Sequence, residues 1–197
     1  MDSRRCIEIV WHAWATERGL DPAPFLKVAH GRLISDTMRL VAPDLDAVAE
    51  ARVIDAMEEV ETRGLEPVPG AAALVARLGD ARCAVVTSGS RMVATLRLST
   101  VGLPIPRVFI TADDVRRAKP DPEGYLRAAH RLGVEPADCV VIEDSTTGLA
   151  AGKAAGMRVL AVLTTHTAAA LADADAQLAS LSALRLDVGP AGLTLGF

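Results

Sequence analysis

The chain has 197 residues, half of them apolar, only 3% aromatic and 23% charged, with a formal net charge of −4. That length and apolar content suffice for one full domain, or a domain with a small insert, built around an Ala- and Val-rich core. No basic run exceeds two arginines, no uncharged apolar stretch reaches membrane-spanning length, and the first ten residues contain no signal-peptide core, so nucleic acid and membrane are excluded as partners and a soluble, cytoplasmic protein is expected.

Residues 4–63 carry helical periodicity throughout. Ile7, Val10, Trp11 and Trp14 share one helix face that Gly19 closes, and the tryptophans are expected to pack rather than bind ligand. Asp21 and Pro22 open a second helix, expected to reach about residue 29, and His30-Gly31-Arg32 breaks it. Helices over residues 35–41 and 45–60 complete an all-helical unit, with Glu58, Glu59 and Glu61 read as a solvated face.

From Glu66 the pattern changes to alternating strands and helices. A helix runs from Pro69-Gly70 to residue 78, and residues 82–87 (RCAVVT) read as a buried strand. Thr87-Ser88-Gly89-Ser90 then leads into a helix over residues 92–100, and residues 108–111 form a short strand. Lys119 precedes a turn in which Asp121 caps a helix that ends at Gly133. Residues 140–142 are a strand that stops at the acid pair Glu143-Asp144. Ser145 caps the next helix, whose face of small residues can lie close to a sheet, Gly156 ends it, and residues 158–163 are again a strand. Residues 177–184 and the Gly-rich tail are weakly patterned. Alternation of this kind predicts an α/β, doubly wound parallel sheet. Cys6, Cys83 and Cys139 lack metal-ligand spacing and read as small buried hydrophobes, while His12, His130 and His166 read as packed or exposed side chains.

Three points share the carboxyl end of this sheet, where ligands of open parallel sheets bind. Ser88, with Thr87, Gly89 and Ser90, offers hydroxyls and backbone N–H groups suited to a phosphate oxygen. Lys119 supplies positive charge, and Glu143 with Asp144 offers oxygen ligands for Mg²⁺. Together they describe phosphoryl transfer, which needs positioning and charge neutralisation above all. Arg91 is a further candidate for an anion contact.

The segments VVTSGS, AKPDPEGYLRAAHRLGV and CVVIEDSTTGLAAGKAAGM resemble motifs II, III and IV of the haloacid dehalogenase superfamily, subfamily I, in the branch of sugar- and polyol-phosphate phosphatases related to β-phosphoglucomutase. The resemblance implies a Rossmann-like core over residues 66–197 and a helical cap over residues 4–65. It implies that Ser88 binds the transferred phosphate, that Lys119 holds it beside the nucleophile, and that Glu143 and Asp144 anchor Mg²⁺. His30 and Arg32 are similar to the substrate-facing cap loop. The implied activity is Mg²⁺-dependent hydrolysis of a small phosphorylated metabolite through an aspartyl-phosphate.

One departure qualifies this. The superfamily's D-x-D motif, which carries the nucleophile and the general acid on the first central strand, has no counterpart here. Residues 1–3 resemble only its end, and Asp44-x-Asp46 and Asp173-x-Asp175 do not follow strands. A gap is therefore expected between the strands ending at Thr87 and Ile142, with an inactive chain as given, a nucleophile encoded upstream of Met1, and association possible through the open sheet edges. A phosphomutase of the β-phosphoglucomutase type remains an alternative, as does a non-catalytic binder of phosphorylated ligands or of a partner chain. Oligomeric state stays open.

Overall fold

A computed structural model describes residues 1–79, 81–189 and 192–197. Four helices come first: α1 (Arg4–Glu17), α2 (Ala23–Leu26), α3 (Ile34–Val41) and α4 (Ala47–Glu58). Their shared core is aromatic. Trp11 stacks on Phe25 with ring centroids 5.4 Å apart, and Trp14 meets Phe25 edge-on at 5.1 Å. Both indoles are buried, and Trp14 Nε1 donates to Glu50, whose carboxylate also takes Arg18 at 2.6 Å. A buried indole needs such an acceptor for its N–H. The second helix is shorter than its sequence pattern suggests, because Val28 and Ala29 turn away after one turn toward the loop at Gly31.

The remainder alternates as expected: α5 (Ala71–Leu78), β1 (Ala84–Val86), α6 (Arg91–Thr100), β2 (Val108–Ile110), α7 (Glu123–Leu132), β3 (Val140–Glu143), α8 (Thr146–Ala154), β4 (Arg158–Val162) and β5 (Ala176–Leu178). Ser90 and Ser145 cap α6 and α8 by accepting from Val93 N and Gly148 N. Gly156, in the left-handed region, terminates α8 while the N–H of Met157 returns to the carbonyl of Gly152. Gly152 has no room for a side chain, since a Cβ there would stand 2.8 Å from Val159. This is the thin face that lets α8 lie on β3 and β4.

The parallel strands form two sheets, β1-β2 and β3-β4-β5, rather than one. Among the described residues no strand lies between β1 and β3, where the sequence predicts a gap. The consequence is visible in β1, whose three residues are all half-buried although each residue of its neighbour β2 is buried. Side chains bridge the seam instead: Val86 packs against the cluster of Tyr125, Val141, Leu149 and Val159.

Two elements go beyond the sequence reading. Strand β5 emerges from an Ala-rich stretch, and an antiparallel hairpin of β6 (Arg185–Gly189) and β7 (Gly192–Gly196) stands where only a weakly patterned tail was expected. Pro190 and Ala191 of that tail lie outside the described residues. The acidic cluster also needs correction. Glu58 is not solvated but only 5% exposed, paired with Arg97 of α6 at 3.1 Å, so it ties the helical unit to the α/β layer. Glu61 lies past the helix and pairs with Arg63. None of the three cysteines is in a disulfide, and Cys6 is buried.

Candidate active site

The carboxylate of Glu143, at the end of β3, is the hub. Its Oε1 accepts from Lys119 Nζ at 2.5 Å and from the Tyr125 hydroxyl at 2.6 Å. Its Oε2 accepts from the backbone N–H groups of Asp144 and Ser145 and from Ser145 Oγ at 2.9 Å. Burial works to raise the pKa of this carboxyl, but the Lys119 charge and the bonds from Lys119, Tyr125 and Ser145 outweigh it and hold the pKa at about 2. Burial, then the Glu143 charge, pushes the Tyr125 phenol well up, which keeps it a proton donor. Gly148 makes this packing possible, since a Cβ there would stand 2.0 Å from the Glu143 carboxyl carbon.

Lys119 also donates to the carbonyl of Val86 at 3.3 Å, so one ammonium spans the seam from the end of β1 to the end of β3. A second span runs through the helical unit. The carbonyl of Gly31 accepts from Ser88 Oγ at 3.1 Å and from Thr147 Oγ1 at 2.9 Å, and Thr147 Oγ1 lies 3.5 Å from Ser145 Oγ. The circuit therefore closes: Val86, Lys119, Glu143, Ser145, Thr147, the Gly31 carbonyl, Ser88. Leu33, Thr87, Ser88 and Lys119 help line a small, partly open cavity of about 20 Å³, room for about one water.

The structure thus brings Ser88, Lys119 and Glu143 to one rim, with Asp144 next in the chain. Asp144 Oδ2 accepts from the hydroxyls of Thr164 and Thr165, and its carbonyl meets His166 Nδ1 at 2.9 Å. His30 borders this group; burial lowers its pKa, partly offset by Glu8 and Asp144, which favours the neutral imidazole. Other expected contacts are spent locally. Thr87 Oγ1 accepts from Gly89 N within its own turn, Ser90 caps α6, and Arg32 Nε reaches back to the carbonyl of Val28. Arg91 is not placed to meet an anion: its guanidinium is bound to Asp114 at 2.5 Å and lies over the Phe109 ring.

Tyr125, Thr147, Thr164, Thr165 and the Gly31 carbonyl escaped sequence reading, and His166, read there as packed or exposed, turns to the Asp144 carbonyl. Threonine and a backbone carbonyl carry no signal of their own in a sequence, and only the packing of α8 against the Gly31 loop assembles them.

A family profile for haloacid dehalogenase-like hydrolases matches residues 8–156. The chain belongs to that family. It is 38% identical over 197 residues to hexitol phosphatase A of Escherichia coli (strain K12), a match covering 98% of this chain and 91% of that protein. It is 32% identical over 176 residues to glycerol-1-phosphate phosphohydrolase 2 of Saccharomyces cerevisiae, covering 83% of this chain and 70% of that protein. Among solved structures, a hydrolase from Pseudomonas syringae superposes with a TM-score of 0.79 at 20% identity, covering 91% of this chain and 88% of that one. This haloacid dehalogenase-like hydrolase therefore has the α/β fold of its family, and no helix of its described residues is long and apolar enough to cross a membrane.

The family implies Mg²⁺, an ion that prefers an octahedron of oxygens with one or two carboxylates among them. Here one carboxylate remains for such an ion. Glu143 has all its strong acceptor positions taken by Lys119, Tyr125, Ser145 and two N–H groups, which leaves Asp144 as the carboxylate able to turn to a cation. Among the described residues no three His, Cys, Asp or Glu side chains gather around one point.

Proposed function

We propose that this protein serves the hydrolysis of a small phosphorylated polyol or sugar, with residues 1–197 forming the phosphoryl-binding rim and its helical cap. The observation that carries the reading is the single circuit joining Ser88, Lys119 and Glu143 across the seam between the sheets. A hydroxyl and an ammonium converging at the carboxyl ends of parallel strands suit a tetrahedral anion, and a charge fixed in a half-dry site stabilises a transferring phosphoryl group without reorganisation. Hexitol and glycerol phosphates, the substrates named in two relatives, are hydroxyl-rich, and the cap brings His30 beside the rim for such groups.

In this reading Lys119 rests on Glu143 and turns its charge to the phosphoryl oxygens when they arrive, while Tyr125 keeps Glu143 Oε1 bonded. Ser88 donates to a phosphoryl oxygen. The attacking carboxylate is assigned to none of the 197 residues: Asp46 caps α4, Asp175 is bound to Lys153 and Val159 N, and Asp2 is held by Arg4. The chain as given then binds without turnover.

Ligand binding and phosphate release together test the reading, using a hexitol 6-phosphate, glycerol 1-phosphate and a hexose 1-phosphate. We expect residues 1–197 to bind the hexitol or glycerol ester with only background release, and Ser88→Ala to lose that binding. Interconversion of the hexose phosphate without release would favour a mutase, and failure to bind any of the esters would contradict the proposal.

A further inference from the structure

The carbonyl of Gly31 is an unusual guest at this rim. It comes from the helical unit, yet it takes hydrogen bonds from Thr147 Oγ1 at 2.9 Å and Ser88 Oγ at 3.1 Å, one hydroxyl from each side of the seam. A carbonyl oxygen has two lone pairs, and both are used. The depth of the intrusion depends on glycine. Gly31 has a φ of 76°, and a Cβ there would stand 2.5 Å from Ser145 Oγ and 2.9 Å from Thr147 Oγ1. Thr147 is itself only 9% exposed.

We propose that Thr147 is a second oxyanion-binding hydroxyl working with Ser88, and that the Gly31 carbonyl occupies their shared acceptor position until a phosphoryl oxygen displaces it. The inference rests on the phosphatase reading, because Ser88 as a phosphate ligand defines the position. Two donors aimed at one oxygen make the same arrangement that a phosphoryl oxygen requires, and Lys119 lines the cavity beside Ser88 with the positive charge a carbonyl does not need. Hydrogen bonds to a charged oxygen are shorter and stronger than those to a neutral one, so phosphate has the means to displace the carbonyl. Displacement frees the loop that carries His30 and Arg32, which couples phosphate binding to movement of the cap edge.

Calorimetric titration of residues 1–197 with inorganic phosphate tests this, with circular dichroism confirming that each variant is folded. Thr147→Val, which keeps the shape and removes the hydroxyl, is expected to weaken phosphate binding by about tenfold or more, the worth of one hydrogen bond to a charged group. Thr147→Ser is expected to bind like the wild type, and Gly31→Ala, which drives the loop out, to bind more tightly. Unchanged affinity in Thr147→Val alongside lost affinity in Ser88→Ala would overturn the inference and leave the phosphatase reading standing. Unchanged or weaker binding by folded Gly31→Ala would overturn the displacement. Failure of the wild type to bind phosphate, or equal binding by Ser88→Ala, would overturn the reading itself.

Discussion

Lys119 and Glu143, 24 residues apart in sequence, meet at 2.5 Å across the open seam between two parallel sheets, with their side chains 10% and 9% exposed. A pair so buried gains its Coulomb energy only because neither charge is left alone, and removing one partner strands the other. Lys119→Met is therefore expected to destabilise the fold by about 3–5 kcal/mol in urea unfolding. Lys119→Met with Glu143→Gln should recover most of that loss.

Gly148 has no side chain, and Glu143 fills the space. In Gly148→Ala the new methyl would stand 2.0 Å from the carboxyl carbon, so the carboxylate must leave its bonds to Ser145 and the backbone. Helix propensity alone would favour alanine by about 1 kcal/mol, so a net loss of thermal stability here, measured by calorimetry, isolates the clash.

Where α4 meets α6, the Arg97–Glu58 pair is buried on both sides, and Arg97 Nε has no hydrogen-bond partner. Glu58→Ala should cost about 3–5 kcal/mol because it leaves a buried guanidinium unpaired. Replacing both residues by apolar ones, as in Arg97→Met with Glu58→Leu, should restore stability to near the wild-type value, and a double-mutant cycle measures the difference.

Asp55 titrates in the opposite sense from Glu143. Burial first, then the charges of Glu58, Glu59 and Asp113, raises its pKa to about 6. A carboxyl whose folded pKa lies above its unfolded value of 3.8 favours the fold while protonated, so its contribution is complete below that value and is lost as pH rises through about 6. Asp55→Asn should accordingly stabilise the fold at pH 8 by about 1 kcal/mol after solvent screening, read as a raised melting temperature, and change little at pH 4.

The elements legible in the sequence were those with strong local chemistry. Ser145 as a cap, Gly156 as a helix stop and the β-branched run before Glu143 left little choice, and Ser88, Lys119, Glu143 and Asp144 were read as a group from their place at one end of the sheet, with their roles implied by the family resemblance. What stayed hidden depended on contacts between distant segments. The role of Glu58 is set by Arg97, 39 positions further along the chain, and a helical glutamate pattern cannot announce it. Arg91 offered the right charge for an anion, but the carboxylate of Asp114 reaches it first. The hairpin of β6 and β7 lacks the Asn-Gly or Asp-Gly signal of tight turns, and so went unread.

The most direct test of the account is a calorimetric comparison of a hexitol 6-phosphate with the unphosphorylated hexitol as ligands of residues 1–197. If Ser88 and Lys119 form a phosphoryl-binding rim, the ester binds and the parent polyol does not, with a difference of at least about a hundredfold, the sum expected from two charge-assisted contacts. Equal affinity for the two ligands, or binding of neither, would contradict it.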